Sequence, residues 1–528
     1  MSVAHLNAPA VDIHRDRSRS PARWIAAVEI ALIVAVFALQ AAWPIPDPNE
    51  PHYLGKARHF WDPQWVPDDF FFNSADTHLV FYVSLGWLAN WLSLTAFAWT
   101  GRFCTWLLLA WSWRRLSYAL LPRPGWAVLS AAIFLTLNVC CHMAGEWVVG
   151  GFEAKGLAYV LVFLGLAEIV RDRWNAAWLL LGAASSLHVL VGGWSTIAAA
   201  ICWLTLPARP ALRSMLPGLA GGLLFSLPGL AAALAINWGV ESEIVAEANT
   251  LYVYRRLRHH LVPQSFGAWM LARHLLMILL WLALIRLTPV DPAQRRLRGI
   301  VAGAVAIAVL GFVISLVLQN HPTTAAALLR LYWFRLSDSL VPAGVALTAI
   351  VYAARQPHQR YKTARWCAGW LVVCAVLAAA NHHEYAAARF FGGPPRADKP
   401  GKVIDYADWR AACDWAAEHT PSDARFLTPR LAQTFKWYAA RSEVVSWKDV
   451  PQDARAIVEW WRRLNDIHGL RDRVGGPRWH DSLAELSEQR LRRLGRAYRA
   501  GYLLTESRPR LDLPRLYHNA SYAIYRVE

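Results

Sequence analysis

The sequence predicts an α-helical polytopic membrane protein of about eleven transmembrane helices, followed by a soluble C-terminal α/β domain. Three observations support this fold class. Of the 528 residues, 56% are hydrophobic and 17% are charged, whereas soluble domains average about 25% charged residues. Many apolar stretches approach or exceed the roughly 20 residues that cross a bilayer as a helix. Many of the 29 tryptophans stand at the ends of these stretches, where aromatic side chains anchor helices at the membrane surface.

The formal net charge of +17 does not indicate a nucleic-acid partner. The lysines and arginines are concentrated in the N-terminal tail and in short loops, where such residues set membrane orientation and contact anionic lipid. We therefore expect membrane lipid, and no nucleic acid, as a partner. Cys413 is alone in the soluble region, because the other cysteines lie in apolar segments, and this excludes a disulfide framework within that region.

The N-terminal segment determines the expected orientation. Residues 1–22 form a polar, Arg-rich tail that we expect in the cytoplasm, and an apolar run from Trp24 to Trp43 follows it. Because this run is longer than the core of a cleaved signal peptide, it is predicted to be an uncleaved signal-anchor helix. The acidic loop at 44–77 then lies outside. We expect an integral membrane protein, in the bacterial inner membrane.

Residues 23–384 are predicted to form the transmembrane domain. They contain twelve apolar segments, and basic short loops mark the inner side. The clearest of these loops runs from Arg355 to Arg365, so the last segment, at 366–382, leads outward. An inside N-terminus and an outside C-terminus require an odd number of crossings. One segment therefore does not cross, and we expect it between residues 78 and 120. If both apolar segments of that stretch crossed, the basic residues near its end would lie outside, against the positive-inside rule.

Residues 385–528 are predicted to form an external α/β domain, on the periplasmic or extracellular side. Short β-like runs alternate there with helical ones, a pattern typical of a small α/β fold. We expect helices at Asp405–His419, Leu431–Ala439, Ala454–Leu464 and Leu483–Leu494, and strands at Arg425–Thr428, Val444–Trp447, Gly501–Thr505 and Tyr522–Val527.

The first external loop carries the clearest candidate functional residues. In Asn49-Glu50-Pro51-His52-Tyr53, the proline suits the first turn of a helix, so Glu50 stands where the helix dipole keeps a carboxylate ionised. The same pattern also fits a residue that merely caps a surface helix. Asp47 precedes the motif, and Asp68 and Asp69 follow it directly before three phenylalanines. Acids beside aromatic rings at a membrane surface suit a polar acceptor held above a lipid-linked donor.

With its N-terminus inside, this motif in its first loop and an external C-terminal α/β domain, the chain resembles the GT-C glycosyltransferases. These are membrane enzymes that take sugars from polyprenyl-phosphate or polyprenyl-diphosphate donors. The resemblance implies an inverting transfer on the outer face, to a glycan, lipid or protein acceptor that the sequence does not specify. A first-loop carboxylate would act as general base, an effect worth roughly 10²–10⁴-fold in rate.

Asn49 stands where better-known members of the family commonly have aspartate. The resemblance therefore leaves the role of base to Glu50 or to Asp47. We predict Glu50 as the base, with Asp47 as the alternative, and Asp68 or Asp69 as a second acid that orients the acceptor or a metal. A divalent cation, Mg²⁺ or Mn²⁺, stays open as a cofactor. His52 and Tyr53 are expected to contact substrate.

A second set of candidate residues lies between two apolar segments, at 144–156. Its three glycines indicate non-helical backbone, which membrane proteins tolerate only where it is buried in protein or lines a cavity. We interpret this stretch as a re-entrant loop that lines the site, with Lys155 on the donor phosphate and Glu146 and Glu153 on substrate. An ordinary loop salt bridge is the alternative.

Three further residues are predicted to bind substrate. His188 lies near the outer end of an apolar segment, and Arg330 and Arg335 stand at the outer start of another. The planar guanidinium suits phosphate oxygens, whereas core packing of the histidine and contact of the arginines with lipid headgroups are the alternatives. The adjacent pairs His259–His260 and His382–His383 are weak metal signals, and no metal site is assigned.

Two other function classes stay open. A transporter or lipid flippase would show inverted repeats and polar residues near the membrane midplane. The sequence shows no repeat, and its polar candidates cluster at the outer boundary instead. A non-catalytic scaffold with an external partner-binding domain would tolerate replacement of the first-loop acids by amides.

Overall fold

A computed structural model of the chain describes residues 19–355, 393–470 and 478–527. Several predicted features lie outside the described residues. These are most of the N-terminal tail, the basic loop after Arg355, the apolar segment at 366–382, the His382–His383 pair and the domain boundary at 385.

Residues 19–355 are helical along most of their length. The helices are α1 (Arg19–Ala41), α2 (Glu50–Trp61), α3 (Leu79–Leu85), α4 (Leu94–Leu120), α5 (Trp126–Cys140), α6 (Ala154–Val170), α7 (Trp174–Leu187), α8 (Val189–Thr205), α9 (Leu212–Ala235), α10 (Ser242–Thr250), α11 (Arg258–Leu261), α12 (Ala268–Leu287), α13 (Pro292–Val317), α14 (Pro322–Leu329) and α15 (Arg335–Ala354). Shorter helical turns lie at Gly86–Asn90, Leu251–Arg256 and Pro263–Ser265.

Five of the described helices are long and apolar enough to cross a membrane: α1 (from Arg23), α9, α12, α13 and α15. The first three expose most of their residues, as expected of helices that meet lipid, whereas 83% of the apolar window of α15 is buried. α15 is therefore a central helix of the bundle. These observations confirm the coarse prediction of a mostly helical chain with candidate membrane spans.

The stretch between residues 78 and 120 contains one long helix. α3 has 7 residues and the turn at Gly86–Asn90 has 5, so at 1.5 Å per residue they are too short for a bilayer core of about 30 Å. Ser93 then starts α4, whose 27 residues are continuous, by accepting a hydrogen bond from the backbone N–H of Ala96. Of the two predicted segments, the first therefore has no helix long enough to cross a bilayer, and the second belongs to α4.

At one end of the helix bundle, buried carboxylates bind several arginines. Glu29 of α1 and Glu168 of α6 are each less than 10% exposed. Their partners, at 2.6–3.5 Å, are the side chains of Arg114, Arg115, Tyr118, Arg171 and Arg173 and the backbone N–H of Gly125. We call this set the basic end. It joins the start of α1 to the ends of α4 and α6, so these two buried acids serve helix packing.

Helices α7 and α9 pack with their backbones close together. A Cβ atom on Gly182 would lie 2.0 Å from the carbonyl oxygen of Gly222. Only glycine fits at such a contact, which is typical of helix pairs in membranes. This packing places the last residues of α7 beside α9 at the opposite end of the bundle from the basic end.

The loop at 141–153 is non-helical and buried in protein. The Asp338 carboxylate on α15 accepts hydrogen bonds from the backbone N–H groups of Met143, Ala144 and Glu146 at 2.7–3.2 Å. At Gly151 an added Cβ would lie 2.8 Å from the Cβ of Asp47, so glycine allows this loop to pack against the first loop. The predicted non-helical stretch is present, and side chains of the bundle satisfy its backbone donors.

The C-terminal region forms a five-stranded mixed sheet with helices. Its elements are α16 (Tyr406–His419), β1 (Arg425–Leu427), α17 (Phe435–Ala439), β2 (Ser442–Glu443), α18 (Ala454–His468), α19 (Glu488–Tyr498), β3 (Tyr502–Glu506), β4 (Arg515–His518) and β5 (Tyr522–Arg526). The strand order is β2-β1-β3-β5-β4. Strand β1 is parallel to its neighbours β2 and β3. Strand β5 is antiparallel to its neighbours β3 and β4. Trp409 and Phe426 are fully buried in its core.

The α/β prediction for this region agrees with the sheet, with two corrections. The strand predicted at Val444–Trp447 is wrong, because β2 ends at Glu443 and the chain then leaves the sheet toward the helix bundle. β4 was not predicted, because its residues are mostly exposed and carry no alternating apolar pattern. The helix predicted from Leu431 begins at Phe435, and the one predicted from Leu483 begins at Glu488 after a short turn.

The C-terminal domain packs on the first loop, at 44–77, through ion pairs and hydrogen bonds. Lys436 binds Asp69 at 3.1 Å, and the Ser442 hydroxyl donates to the carbonyl of Pro67. Lys436 also contacts Glu443 and Asp449, so one buried ammonium has three carboxylate partners. The first loop is thus enclosed between the helix bundle and the C-terminal domain.

Candidate functional site

A cavity of about 520 Å³ lies between the helix bundle and the C-terminal domain, at the end opposite the basic end. Loop 44–77, loop 141–153, the α7–α8 break, the end of α9 and the start of α15 all contribute to its wall. We call it the main cavity. Of the eight residues predicted to bind substrate, seven line it: His52, Tyr53, Glu153, Lys155, His188, Arg330 and Arg335.

Glu153 is the only carboxylate among the described residues that line the main cavity. It stands in extended conformation directly before α6 and is 5% exposed. The start of a helix favours a negative charge. Its carboxylate accepts a hydrogen bond from the Asn49 amide at 3.0 Å and lies 3.4 Å from the Lys155 ammonium. Glu153 is therefore held in a fixed position at the cavity wall.

The amide of Asn49 connects the helix bundle to the C-terminal domain. Its nitrogen donates to Glu153, and its oxygen accepts a hydrogen bond from the Lys448 ammonium at 2.7 Å. An aspartate at this position would have no donor for Glu153 and would repel its charge. An asparagine at position 49 therefore has a physical explanation, because its side chain supplies a donor to Glu153 and an acceptor to Lys448.

Glu146 lies beneath the main cavity rather than in its wall. It is fully buried, 3.5 Å from the Lys155 ammonium and 3.2 Å from Nε of Arg335. The Tyr159 hydroxyl donates to it at 3.2 Å. The Arg335 guanidinium also lies over the ring of Tyr332, 3.8 Å from its centroid. Glu146 thus positions two of the cations that the cavity presents.

Cationic side chains outnumber the carboxylate in the wall. Lys155, Arg256, Arg330, Arg335 and Lys448 all line the main cavity. Burial, and then the charge of Arg256, lower the pKa of Lys448 to about 8. Since arginines stay charged, the cavity carries a net positive charge at neutral pH. Such a site suits an anion, and the arginine fork fits phosphate or carboxylate oxygens.

Three histidines form the polar wall nearest the first loop. The Tyr53 hydroxyl and Nε2 of His78 are 3.1 Å apart, and the rings of His78 and His188 lie 5.3 Å apart. Burial lowers the pKa of His78 to about 4, so it is neutral at pH 7. Nδ1 of His188 accepts a hydrogen bond from the backbone N–H of Val191 and so caps α8. His52 contacts Asp449 of the C-terminal domain at 3.3 Å.

Glu50 does not reach the main cavity. It is fully buried, and Nε and Nη2 of Arg102 each donate to it at 2.6 Å. The backbone N–H groups of Asp47 and Phe152 donate to the same carboxylate at 2.7 and 2.9 Å. All four contacts stabilise its ionised form and leave no room for an acceptor hydroxyl. The geometry therefore assigns Glu50 to holding loops and helices together, not to the role of base that sequence predicted.

The other three predicted acids also lie away from the cavity wall. Asp47 is buried beside Glu50, 3.4 Å from Arg396, and burial raises its pKa. The Asp68 side chain is 86% exposed, 3.9 Å from Arg425. Asp69 is fully buried and pairs with Lys436. Asp68 and Asp69 thus contact the C-terminal domain and do not face a substrate.

Several residues that shape the site were missed by sequence reasoning. Arg102 and Asp338 are fully buried in helices with apolar neighbours, and an ionisable residue in such a segment is itself a functional signal. Arg256 was not named as a site residue, although the clustered cations of the run at 254–260 are a signal that the sequence itself shows. Lys448 had no local signal, since only the docking of the C-terminal domain brings it to the cavity.

The described residues do not form a recognisable metal-binding site. Among residues 19–355, 393–470 and 478–527, no group of three or more His, Cys, Asp or Glu side chains could hold an ion. His260 instead contacts the carbonyl oxygen of Ala144 through Nδ1 at 2.6 Å, and its pair with His259 is a ring contact.

A family model described as a domain of unknown function, DUF6798, matches residues 407–467. The matched stretch runs from α16 to α18 and includes Lys436, which binds the first loop, and Lys448, which lines the main cavity. No curated protein matches the chain.

Proposed function

We propose that this protein is an inverting membrane glycosyltransferase that moves a sugar from a polyprenyl-phosphate donor to an acceptor on the outer face. One observation carries the proposal. Among the described residues that line the main cavity, one carboxylate, Glu153, stands with five cationic side chains, at the boundary between the helix bundle and the C-terminal domain. A base beside a phosphate-binding surface is what glycosyl transfer from a lipid phosphate requires.

The proposed topology has eleven crossings. Ten described helices would cross, namely α1, α4, α5, α6, α7, α8, α9, α12, α13 and α15, and the apolar segment at 366–382 would be the eleventh. The basic end would face the cytoplasm by the positive-inside rule. The main cavity and the C-terminal domain would then lie on the outer side.

The proposed reaction uses Glu153 as general base. The acceptor hydroxyl gives its proton to Glu153 while its oxygen forms a bond to the anomeric carbon. The bond from that carbon to the phosphate oxygen breaks on the opposite face, so the configuration inverts. Polyprenyl phosphate leaves with the bonding electrons, and Lys155 and Arg335 stabilise its added negative charge. Asn49 and Lys155 hold Glu153 in place for this transfer.

One wall of the main cavity suits a lipid chain. Leu190, Leu230, Ala233 and Leu234 form it, and Leu234 is 75% exposed on the outside of α9. An apolar wall that continues to an exposed helix surface allows the donor phosphate to sit among the cations while its hydrocarbon stays in lipid.

The test is release of free polyprenyl phosphate from a panel of lipid-linked sugars, with membrane extract as the source of acceptor. We expect release by the wild-type protein and a loss of about 10²-fold or more in Glu153→Gln, because the amide cannot accept the proton. Asp68→Asn is the matched control, an exposed carboxylate of the first loop, and it should retain activity. Full activity in Glu153→Gln, or no release from any donor, would contradict the proposal.

A further inference from the structure

A second cavity, of about 330 Å³, lies within the C-terminal domain. It is surrounded by the segment after Lys399, the turn after β1, the end of α18, the segment at 480–483, the end of β3 and the start of β5. Its charged and polar lining consists of Lys402, Arg430, His468, His480, Asp481 and Glu506. We call it the domain cavity. It contains none of the residues that the proposed transfer uses.

His468 supplies an unpaired donor or acceptor at the domain cavity. It is the last residue of α18 and is 3% exposed. In the part of the chain that the structure describes, its Nε2 has no hydrogen-bond partner. Burial, and then the charges of Arg430 and His480, lower the pKa of His468 to about 3, so its ring is neutral at pH 7. A buried polar atom without a protein partner is uncommon, and it needs a partner from outside the chain, a water molecule or a ligand.

Arg430 presents a second unpaired donor. Its Nε is buried and has no hydrogen-bond partner among the described residues. Its guanidinium lies over the rings of Trp479 and Trp447, 5.0 and 5.6 Å from their centroids. Two aromatic rings thus hold the cation in place without using its hydrogen-bond donors. This leaves the planar fork free for a carboxylate or a phosphate.

The remaining charges favour an anion at this place. Burial lowers the pKa of Lys402, and the charges of Lys399, Arg256 and Arg430 lower it further, so cations are crowded around it. The Glu506 carboxylate is already occupied by the hydroxyls of Ser482 and Thr505, at 2.5 and 2.9 Å. Asp481 is the other acid: it is exposed at the rim, and its charge opposes the lowering of the Arg430 pKa by burial. A negative ligand would relieve the crowding of cations.

Trp447 connects the domain cavity to the main cavity. Arg256, which lines the main cavity, donates to the Trp447 carbonyl at 3.0 Å and lies over its ring, 5.5 Å from the centroid. Arg430, in the domain cavity, lies over the same ring. A ligand held in the domain cavity therefore lies next to the wall of the proposed transfer site.

We propose that the domain cavity binds an anionic sugar, through a carboxylate or phosphate held by Arg430, His468 and Lys402, and that this sugar belongs to the acceptor. The assignment to the acceptor rests on the proposed glycosyltransferase function, whereas the anion site itself does not. Trp447 and Trp479 lie beside the anion-binding groups, where aromatic rings suit the apolar face of a sugar.

Binding of three matched probes to the full-length purified chain tests the site by titration calorimetry. The probes are glucuronic acid, glucose 6-phosphate and uncharged glucose. We expect one or both acidic probes to bind at least about 10-fold more tightly than glucose, because the charged group makes a charge-assisted contact that glucose lacks. Preference for the carboxylate or for the phosphate identifies the group. Equal binding of all three probes, or no binding, would overturn the proposal.

Variants separate this site from the transfer chemistry. Arg430→Gln and His468→Gln should each weaken the acidic probe about 10-fold, and Arg493→Gln, an exposed arginine of the same domain, should have no effect. Glu153→Gln should keep the affinity unchanged. Binding that survives Arg430→Gln with native unfolding temperature would overturn the site. Binding that depends on Arg430 in a protein without transferase activity would support the anion site and remove its assignment to the acceptor.

Discussion

The two ends of the helix bundle both combine carboxylates with an excess of cations, yet they differ in where those cations point. At the basic end, the Arg173 and Arg115 side chains are 66% and 41% exposed, so solvent or lipid headgroups can balance their charge. At the main cavity, the Lys155 and Arg335 side chains are only 5% and 21% exposed. Glu146 and Glu153 balance these two cations. The positive charge in excess lies on Arg256, Arg330 and Lys448, whose partners are uncharged oxygens, and an anionic ligand would balance it.

The buried carboxylates at the two ends differ in the same way. Glu50 and Arg102 are both fully buried, and each satisfies the other through two hydrogen bonds. Glu168 is also buried, but its arginines reach the surface. Only Glu153, at the cavity wall, has the main cavity on one side. Contact with the main cavity, rather than the burial of the acid or of its partners, therefore distinguishes the functional role from the packing role.

The largest expected effect comes from Glu50. Glu50→Gln leaves the Arg102 charge buried without its carboxylate, which should cost about 3–5 kcal/mol of unfolding free energy. Glu168→Gln should cost about 1 kcal/mol or less, because its partners can turn to solvent. The measurement is the thermal unfolding midpoint of each variant in the same detergent. A Glu50→Gln protein as stable as wild type would show that the pair is not structural.

The next effect concerns donor binding at the main cavity. Arg335→Gln removes one buried cation, and we expect polyprenyl-phosphate affinity to fall roughly 10- to 100-fold, as for loss of a charge-assisted hydrogen bond. Arg173→Gln at the basic end is the matched control and should leave the affinity unchanged. Affinity can be followed by retention of radiolabelled polyprenyl phosphate on the purified protein. Equal affinities of the two variants would mean that the phosphate binds elsewhere.

The smallest effect is a pH dependence that separates lysine from arginine in the cavity. The pKa of Lys448 is lowered to about 8, so its ammonium is mostly charged at pH 7 and mostly neutral at pH 9. The donor is a phosphodiester with one acidic proton, which is lost well below pH 7, so its charge is constant over this range. Donor affinity should therefore fall several-fold, at most about 10-fold, as the pH rises from 7 to 9.

Lys448→Arg tests the origin of that pH dependence. The guanidinium stays charged throughout the range, so the decrease in affinity between pH 7 and 9 should disappear. A decrease that persists in this variant would assign it to another group.

Much of the site could be predicted from sequence where the signal was local. The glycines at 150, 151 and 156 indicated non-helical backbone, and Lys155 and Glu153 in that stretch do line the main cavity. Arg330 and Arg335 were found because charged residues beside an apolar segment stand out. The role of base was placed on Glu50 because the motif lies in the first loop, and sequence could not show that Arg102, 52 residues away, encloses it.

The sequence by itself determined the class of this protein, since apolar runs, tryptophan placement and basic loops depend on composition along the chain. It also determined which loops carry the polar residues of the cavity. Only the tertiary structure decided which carboxylate faces that cavity. The direction of each side chain depends on contacts between distant segments, such as Asn49 with Glu153 and with Lys448, which are 104 and 399 residues apart. Burial and ion pairing arise from those contacts, and no local pattern encodes them.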